Sequence, residues 1–154
     1  MAGEGLLYID ASAFVKLVLP EPETEALVAA LNPRATLVAS AILEVEVLRA
    51  VRRAGGQGTE VAARAQLEGV RLLPLDAQVR ERASELAPVT LRTLDAIHIA
   101  TALDLGERLE GVYTYDTRMA AAATHVGLPV CAPSPGPPAP DRARGAGVRL
   151  DSPP

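Results

Sequence analysis

The sequence predicts an α/β domain with a mostly parallel central sheet. Three observations support this fold class: the apolar stretches are short, they do not alternate with polar residues, and helical segments separate them. With 154 residues, the chain has the length of a single domain and can bury a sizeable core. Because only 3% of the residues are aromatic, that core must consist mainly of Ala, Leu and Val.

Capping residues and helix breakers set the limits of the predicted elements. Asp76 and Asp116 are suited to cap the helices that follow them, and Gly106 and Gly127 are suited to end the helices that precede them. Pro22 is suited to open a helix. In chain order, the sequence predicts a strand at 6–9, helices at 12–19 and 22–31, a strand at 36–39, helices at 41–53 and 59–67, a strand at 70–73, helices at 76–86 and 93–105, a strand at 112–114, a helix at 116–126 and a strand at 128–131.

Residues 1–132 are predicted to form the folded domain, and residues 133–154 a flexible tail. Seven of the 13 prolines fall in the second range, together with three glycines. A segment of this composition can neither maintain a hydrogen-bond ladder nor bury much apolar surface.

The composition also excludes several classes of function. A net charge of −4 and a pI of about 5.2 exclude a broadly basic nucleic-acid-binding protein, although a local basic patch is still compatible. A single cysteine excludes an internal disulfide and a cysteine-based zinc site, and two histidines disfavour a multi-histidine metal site. Because no apolar run approaches 18 residues and no secretory segment is evident, we predict a soluble, cytoplasmic protein without a membrane partner.

Four acidic residues are predicted to meet at one edge of the sheet. Asp10 and Asp116 follow strands, and Glu46 and Asp95 lie in the early turns of helices that begin at the same edge. Clustered carboxylates repel each other unless they bind protons or a cation, and Mg²⁺ or Mn²⁺ prefers oxygen ligands. The cluster therefore predicts metal-assisted hydrolysis of a phosphodiester. Taken singly, each acid has a simpler explanation, as a helix cap for Asp10 and Asp116 or as a complement to the helix dipole for Asp95.

The helix at 41–53 carries a charged stripe. With 100° of rotation per residue, Glu46, Arg49 and Arg53 lie on one face, whereas Glu44 lies about 200° from Glu46 and is expected to be exposed. The two arginines are either phosphate contacts beside the metal site or a solvated surface. The sequence pattern leaves both possibilities open.

Four segments resemble the PIN-domain ribonucleases, and more closely the VapC-type toxins of prokaryotic toxin–antitoxin pairs. The resemblance covers about residues 6–131 and preserves the order of the family's motifs. It selects Asp10, Glu46 rather than Glu44, Asp95 and Asp116. The segments are YIDASAFVKL at 8–17, SAILEVEVLRA at 40–50, LRTLDAIHIATAL at 91–103, and VYTYDTRMA at 112–120 followed by GLPV at 127–130.

The resemblance implies a three-layer α/β/α sandwich and an endoribonuclease that depends on Mg²⁺ or Mn²⁺. It implies that Asp10 and Asp95 are the principal metal ligands, and that Asp116 and Glu46 complete the acidic pocket. The hydroxyls of Ser12 and Thr114 would orient the carboxylates. The family also implies an RNA substrate, a homodimer and an inhibitory VapB-like antitoxin that inserts a segment near the pocket. The expected cleavage leaves a 5′-phosphate and a 3′-hydroxyl.

Other interpretations remain at this stage. A non-catalytic PIN-fold module that binds RNA or protein is the main alternative function. A haloacid-dehalogenase-type phosphatase would need an Asp at position 12, where the chain has Ser12, and a receiver domain would need a late lysine, whereas the only lysine is Lys16. His98 lies three residues after Asp95 and either contacts the site or packs inside the domain.

Overall fold

The computed structural model describes residues 5–136, which form a parallel five-stranded sheet with helices on both faces. The predicted α/β fold class is therefore confirmed. Most of the predicted tail, residues 137–154, lies outside the described residues, and residues 132–136 have neither helix nor strand. The strands are β1 (Leu6–Ile9), β2 (Thr36–Ser40), β3 (Arg71–Leu73), β4 (Leu109–Tyr113) and β5 (Val130–Cys131).

The helices agree with the predicted segments to within two residues at each end. Gly106 and Gly127 adopt positive φ angles of 56° and 82°, as helix-ending glycines do. Gly106 also opens a single 3₁₀ turn, Gly106–Arg108, that the sequence did not predict. The helices are α1 (Ala11–Val18), α2 (Thr24–Ala30), α3 (Ile42–Ala54), α4 (Gln57–Leu67), α5 (Ala77–Glu85), α6 (Thr93–Leu103) and α7 (Thr117–His125).

The two faces of the sheet are both buried, which explains the unbroken apolar strands. In β1, Leu7 and Ile9 pack in the core cluster formed with α1 to α4, whereas Leu6 and Tyr8 pack in a second cluster that includes Met119 of α7. Successive strand residues point to opposite faces, so four consecutive buried residues require cover on both sides. This arrangement is the three-layer α/β/α sandwich that the resemblance implied.

The side of the sheet on which the chain adds new strands changes at β1, the central strand. The strand order is β3-β2-β1-β4-β5, so the chain first builds outward from β1 to β3 and then returns to place β4 on the other side of β1. In open α/β sheets, ligands bind where the order reverses, beyond the carboxyl ends of the strands. Here that point lies between Asp10, which follows β1, and the segment that follows β4.

No helix within residues 5–136 has both the length and the hydropathy that a membrane crossing requires.

Candidate active site

Asp10 is held by three hydrogen bonds directly after β1. Its Oδ1 accepts from the Ala13 backbone N–H (3.0 Å) and the Ser12 hydroxyl (2.7 Å), and its Oδ2 accepts from the Thr114 hydroxyl (2.6 Å). The residue is buried and caps α1. Burial raises the pKa of Asp10 above its ordinary value, although these hydrogen bonds oppose the increase. The carboxylate is therefore fixed in orientation and unfavourably charged.

Ser12 joins the two loops at the switch point. While its hydroxyl donates to Asp10, its oxygen accepts from the backbone N–H groups of Tyr115 (2.8 Å) and Asp116 (3.2 Å). The Asp116 N–H also reaches the Thr114 hydroxyl at 3.1 Å. The ends of β1 and β4 are thus connected through two hydroxyls that both contact Asp10.

Asp116 begins α7, as the sequence predicted for a cap. Its Oδ1 accepts from the backbone N–H groups of Arg118 (2.8 Å) and Met119 (3.1 Å). This geometry places the Asp116 carboxylate at the amino end of α7, on the same edge of the sheet as Asp10.

Asp95 carries a buried oxygen without a partner. Within residues 5–136, its Oδ2 is the one buried side-chain polar atom that forms no hydrogen bond. Burial, and then the negative charge of Asp116, raise the pKa of Asp95. An unsatisfied buried acceptor costs about 1–3 kcal/mol, and more when it is charged. A cation bound at this oxygen would give the buried acceptor a partner and offset its repulsion from the Asp116 charge.

Glu46 is connected to the core through His98. The Glu46 carboxylate oxygen Oε2 accepts from His98 Nε2–H at 2.7 Å. In the tautomer that makes this bond, His98 Nδ1 accepts from the Tyr8 hydroxyl at 2.7 Å, and the Tyr8 oxygen accepts from the Ser40 N–H at 3.1 Å. Burial raises the pKa of Tyr8, which keeps the phenol a donor. His98 was predicted either to contact the site or to pack inside the domain, and it does both. The residue is only 2% exposed, and its ring contacts Glu46.

Sequence reasoning missed Tyr8 as part of this site. A signal was present, because Tyr8 lies in β1 two positions before Asp10, and residues two positions apart along a strand point to the same face of the sheet. The hydrogen bond itself joins residues 90 positions apart, which no local pattern predicts.

Among the described residues, no three His, Cys, Asp or Glu side chains are close enough to form a ready-made metal cage. Such a cage is not required for Mg²⁺, which is usually held by one or two carboxylates, water and substrate phosphate oxygens. Asp10 and Asp95 both have raised pKa values, and Asp95 has an unpartnered oxygen. The residues present therefore fit a hard divalent cation.

The charged stripe of α3 lines a cavity next to these acids. Glu46, Arg49 and Arg53 share this cavity of about 630 Å³ with Ser12 of α1. Glu44 points away from it and lies 3.8 Å from Arg64 of α4. Neither Arg49 nor Arg53 forms an ion pair within residues 5–136.

A parallel α/β/α sandwich with carboxylates at its switch point is the architecture of a PIN domain. The sequence model of the PIN domain family matches residues 7–124, and the chain belongs to this family.

Curated relatives cover most of the chain. Ribonuclease VapC46 of Mycobacterium tuberculosis is 45% identical over 128 residues, which are 83% of this chain and 98% of the relative. Ribonuclease VapC47 of the same species is 36% identical over 132 residues, which are 83% of this chain and 97% of the relative. The predicted resemblance to VapC-type proteins is confirmed.

Two solved structures show the same fold. Mycobacterium tuberculosis VapC20, described as a sarcin-ricin loop cleaving toxin, superposes with a TM-score of 0.63 at 20% identity, covering 79% of this chain and 95% of that one. A toxin–antitoxin complex from Klebsiella pneumoniae gives a TM-score of 0.62 at 24% identity, covering 82% and 97%.

Proposed function

We propose that the protein is a divalent-metal-dependent endoribonuclease of the VapC type and the toxin of a toxin–antitoxin pair. One observation carries the proposal: in a chain that belongs to the PIN domain family, Asp95 has a buried, unpartnered carboxylate oxygen beside the charge of Asp116. The curated relatives, at up to 45% identity over nearly their whole length, are named ribonucleases.

Asp10 and Asp95 are the proposed principal ligands of Mg²⁺ or Mn²⁺, and Asp116 and Glu46 complete the acidic pocket. When bound, the metal lowers the pKa of a water molecule and offsets charge on the phosphodiester. Ser12 and Thr114 keep the Asp10 carboxylate in one orientation through hydrogen bonds of 2.7 and 2.6 Å.

RNA binding is assigned in part to Arg49 and Arg53. Both line the cavity that also contains Glu46, and neither forms an ion pair in the part of the chain that the structure describes. A guanidinium group can donate two parallel hydrogen bonds to a phosphate. These two side chains would therefore hold the substrate backbone next to the acids.

The proposed partners and location follow from the family. We propose a cytoplasmic homodimer that is inhibited by a VapB-like antitoxin, in keeping with the fold shared with a protein from a toxin–antitoxin complex. The proposed folded domain is residues 1–132, with residues 133–154 as a tail outside the catalytic fold.

The test is a cleavage assay on a panel of tRNA and rRNA fragments with Mg²⁺, Mn²⁺ or excess EDTA. We expect cleavage by the wild type with metal, none in EDTA, and a loss of roughly 100- to 1,000-fold in Asp10→Asn and Asp95→Asn. Glu46→Gln and Glu44→Gln form a matched pair on one helix, and only the former should lose activity. Full cleavage in EDTA would overturn the proposal, whereas metal-independent RNA binding without cleavage would favour the non-catalytic module.

A further inference from the structure

A second cavity is lined by Asp95 and by none of the other three proposed site acids, and the proposed function assigns it no role. Its volume is about 370 Å³, within the range of small-ligand sites, and it is formed by the loop before α6 and by α7. Asp95 lines this cavity, whereas its neighbour Leu94 lines the larger cavity that contains Arg49. The first turn of α6 therefore separates the two cavities. Asp95 is both a proposed metal ligand and a lining residue of the smaller cavity.

One face of α7 forms a wall of the smaller cavity. Arg118, Ala121, Ala122 and His125 line it, at spacings of three, four and seven residues from Arg118. Residues with this spacing lie on a single helix face. The two alanines leave space above the helix surface, and Leu91 provides an aliphatic wall opposite. The cavity thus has apolar walls between polar ends.

Two of the polar residues that line the cavity are arginines without an ion pair among the described residues. Arg92 and Arg118 both line the cavity and are exposed. Neither forms an ion pair with an acid within residues 5–136, in contrast to Arg52 and Arg64, which share Glu60. Asp95 lines the same cavity, which places both arginines near one of the proposed site acids. An anion is the complementary occupant of this end of the cavity.

Recognition of a base at this site must work without exposed aromatic rings. The sequence has no Trp, and Phe14, Tyr8 and Tyr113 are buried. Tyr115 is partly buried and donates a hydrogen bond to the Pro133 carbonyl. Flat guanidinium groups can stack on bases as well as bind phosphates, and a His ring can stack too. His125 is exposed at the end of the cavity.

We propose that the cavity lined by Arg92, Arg118 and Leu91 binds one nucleotide of single-stranded RNA next to the scissile phosphate. The base lies against the aliphatic walls and the phosphate contacts the two arginines. This inference rests on the proposed ribonuclease function. The RNA strand crosses the first turn of α6, from the cavity with Arg49 and Arg53 to this one.

The test measures cleavage kinetics of a single-stranded RNA oligonucleotide that spans the site cut by the wild type. Arg92→Ala and Arg118→Ala should each raise KM by about tenfold, more than they lower kcat, because each loses a charge-assisted hydrogen bond. The salt dependence of log(1/KM) should become shallower by about 0.7 for each lost phosphate contact. Arg108→Ala, an exposed arginine in the 3₁₀ turn before β4, is the matched control and should keep both values.

A second variant tests the base-binding part of the cavity. Ala121 is exposed on α7, so Ala121→Leu narrows the cavity without disturbing the core. We expect a higher KM with an unchanged salt slope, because no phosphate contact is removed. Thr124→Leu, at an exposed α7 position outside the lining, is its control.

The outcomes separate this inference from the proposed function. A wild type that cleaves no RNA would refute the proposed function. A wild type that cleaves, with unchanged KM and salt slope in both arginine variants, would refute the nucleotide site alone. A fall in kcat with constant KM in the arginine variants would also refute the nucleotide site. Binding of an acidic peptide is measured in parallel: if the arginine variants bind it more weakly but keep their RNA kinetics, the cavity belongs to a protein partner and the nucleotide site is refuted.

Discussion

Asp10 and Asp116 show why single residues could not be interpreted from the sequence alone. Each was equally consistent with a helix cap and with a site acid, and in the structure each caps a helix with one carboxylate oxygen while lying at the switch point. The two interpretations describe one geometry, because a helix that starts after a parallel strand begins at the ligand-binding edge of the sheet. The local pattern predicts the position of such a residue, but its neighbours decide its chemistry.

His98 is the residue through which the core fixes Glu46. Its ring is edge-on to Tyr8, with 5.9 Å between the centroids, and both ring nitrogens are engaged. We expect His98→Leu to lower RNA cleavage by about 10- to 100-fold and to raise the Mg²⁺ concentration needed for half-maximal activity, as the loss of an orienting partner does at metal sites. The measurement is cleavage rate against Mg²⁺ concentration, with Mg²⁺ affinity by calorimetry.

His98→Gln is the informative companion variant, because the Gln amide can still donate to Glu46 from a similar distance along the side chain. It should recover a large part of the lost Mg²⁺ affinity, and Tyr8→Phe, which removes the hydroxyl donor to His98, should show a smaller loss than His98→Leu. If His98→Leu binds Mg²⁺ as tightly as the wild type, the ring is only a packing residue.

Among the elements, α3 and α4 are joined by a charged cluster at Glu60. Its carboxylate accepts two hydrogen bonds from Arg52, both at 2.8 Å, and one from Arg64 Nη2 at 3.0 Å, and the hydrogen bonds from these two arginines lower the pKa of Glu60 to about 2. A lowered carboxyl pKa contributes stability that is present above the ordinary value of 4.5 and is lost as the pH falls through the folded-state value.

Glu60→Gln should therefore reduce the stability of the domain at neutral pH and flatten its loss of stability between about pH 4.5 and pH 2. Exposed ion pairs are screened by salt, so both effects should shrink as ionic strength rises. Urea unfolding at a series of pH values measures this, with Glu68→Gln as a control on an acid outside the cluster. Parallel pH profiles for the wild type and Glu60→Gln would contradict the assignment.

The limits of the elements were largely predictable, and the start of β4 is the exception, because a distant strand sets it. β4 starts at Leu109, three residues before the predicted strand, because Leu109 and Gly111 pair with β1 across a register shift while Glu110 between them is exposed. Because Glu110 is charged and Gly111 lacks a side chain, the sequence at these positions does not predict a buried strand. The register of the partner strand, which is more than 100 residues away, imposes the extended conformation.

At the scale of the whole molecule, the parallel sheet was predictable from the sequence, and the strand order was not. Apolar strands between helices imply crossovers, and a helix that directly follows a parallel strand starts at the carboxyl edge. Which strand lies beside β1 depends on packing between elements far apart in the chain. The two cavities on either side of the first turn of α6 arise from that packing, so the helical pattern of α3 singled out Arg49 and Arg53, whereas no sequence pattern singled out Arg92 and Arg118.

The raised pKa values of Asp10 and Asp95 have an energetic consequence for the protein in the absence of a metal ion. Burial raises the pKa of Asp10, and burial together with Asp116 raises that of Asp95, in both cases above the ordinary value of 3.8. A carboxyl group with a raised folded-state pKa contributes stability that is fully present below its unfolded pKa and is lost as the pH rises through the folded value. Other acids such as Glu60 act in the opposite direction, so a comparison with a variant is needed to isolate the effect.

In EDTA, Asp95→Asn should therefore gain stability relative to the wild type as the pH rises from the ordinary carboxyl value of 3.8 through the raised folded-state value, because the variant lacks the unfavourable charge. With Mg²⁺ at about 100 times its Kd, the wild type should gain about 2.7 kcal/mol, and Asp95→Asn should gain much less. The sign of the stability difference should then reverse between the two conditions, which urea unfolding measures directly, and Glu44→Gln should show no reversal. If the stability difference between Asp95→Asn and the wild type depends on neither pH nor Mg²⁺, then ionisation of Asp95 does not destabilise the metal-free protein and its buried oxygen does not bind the cation.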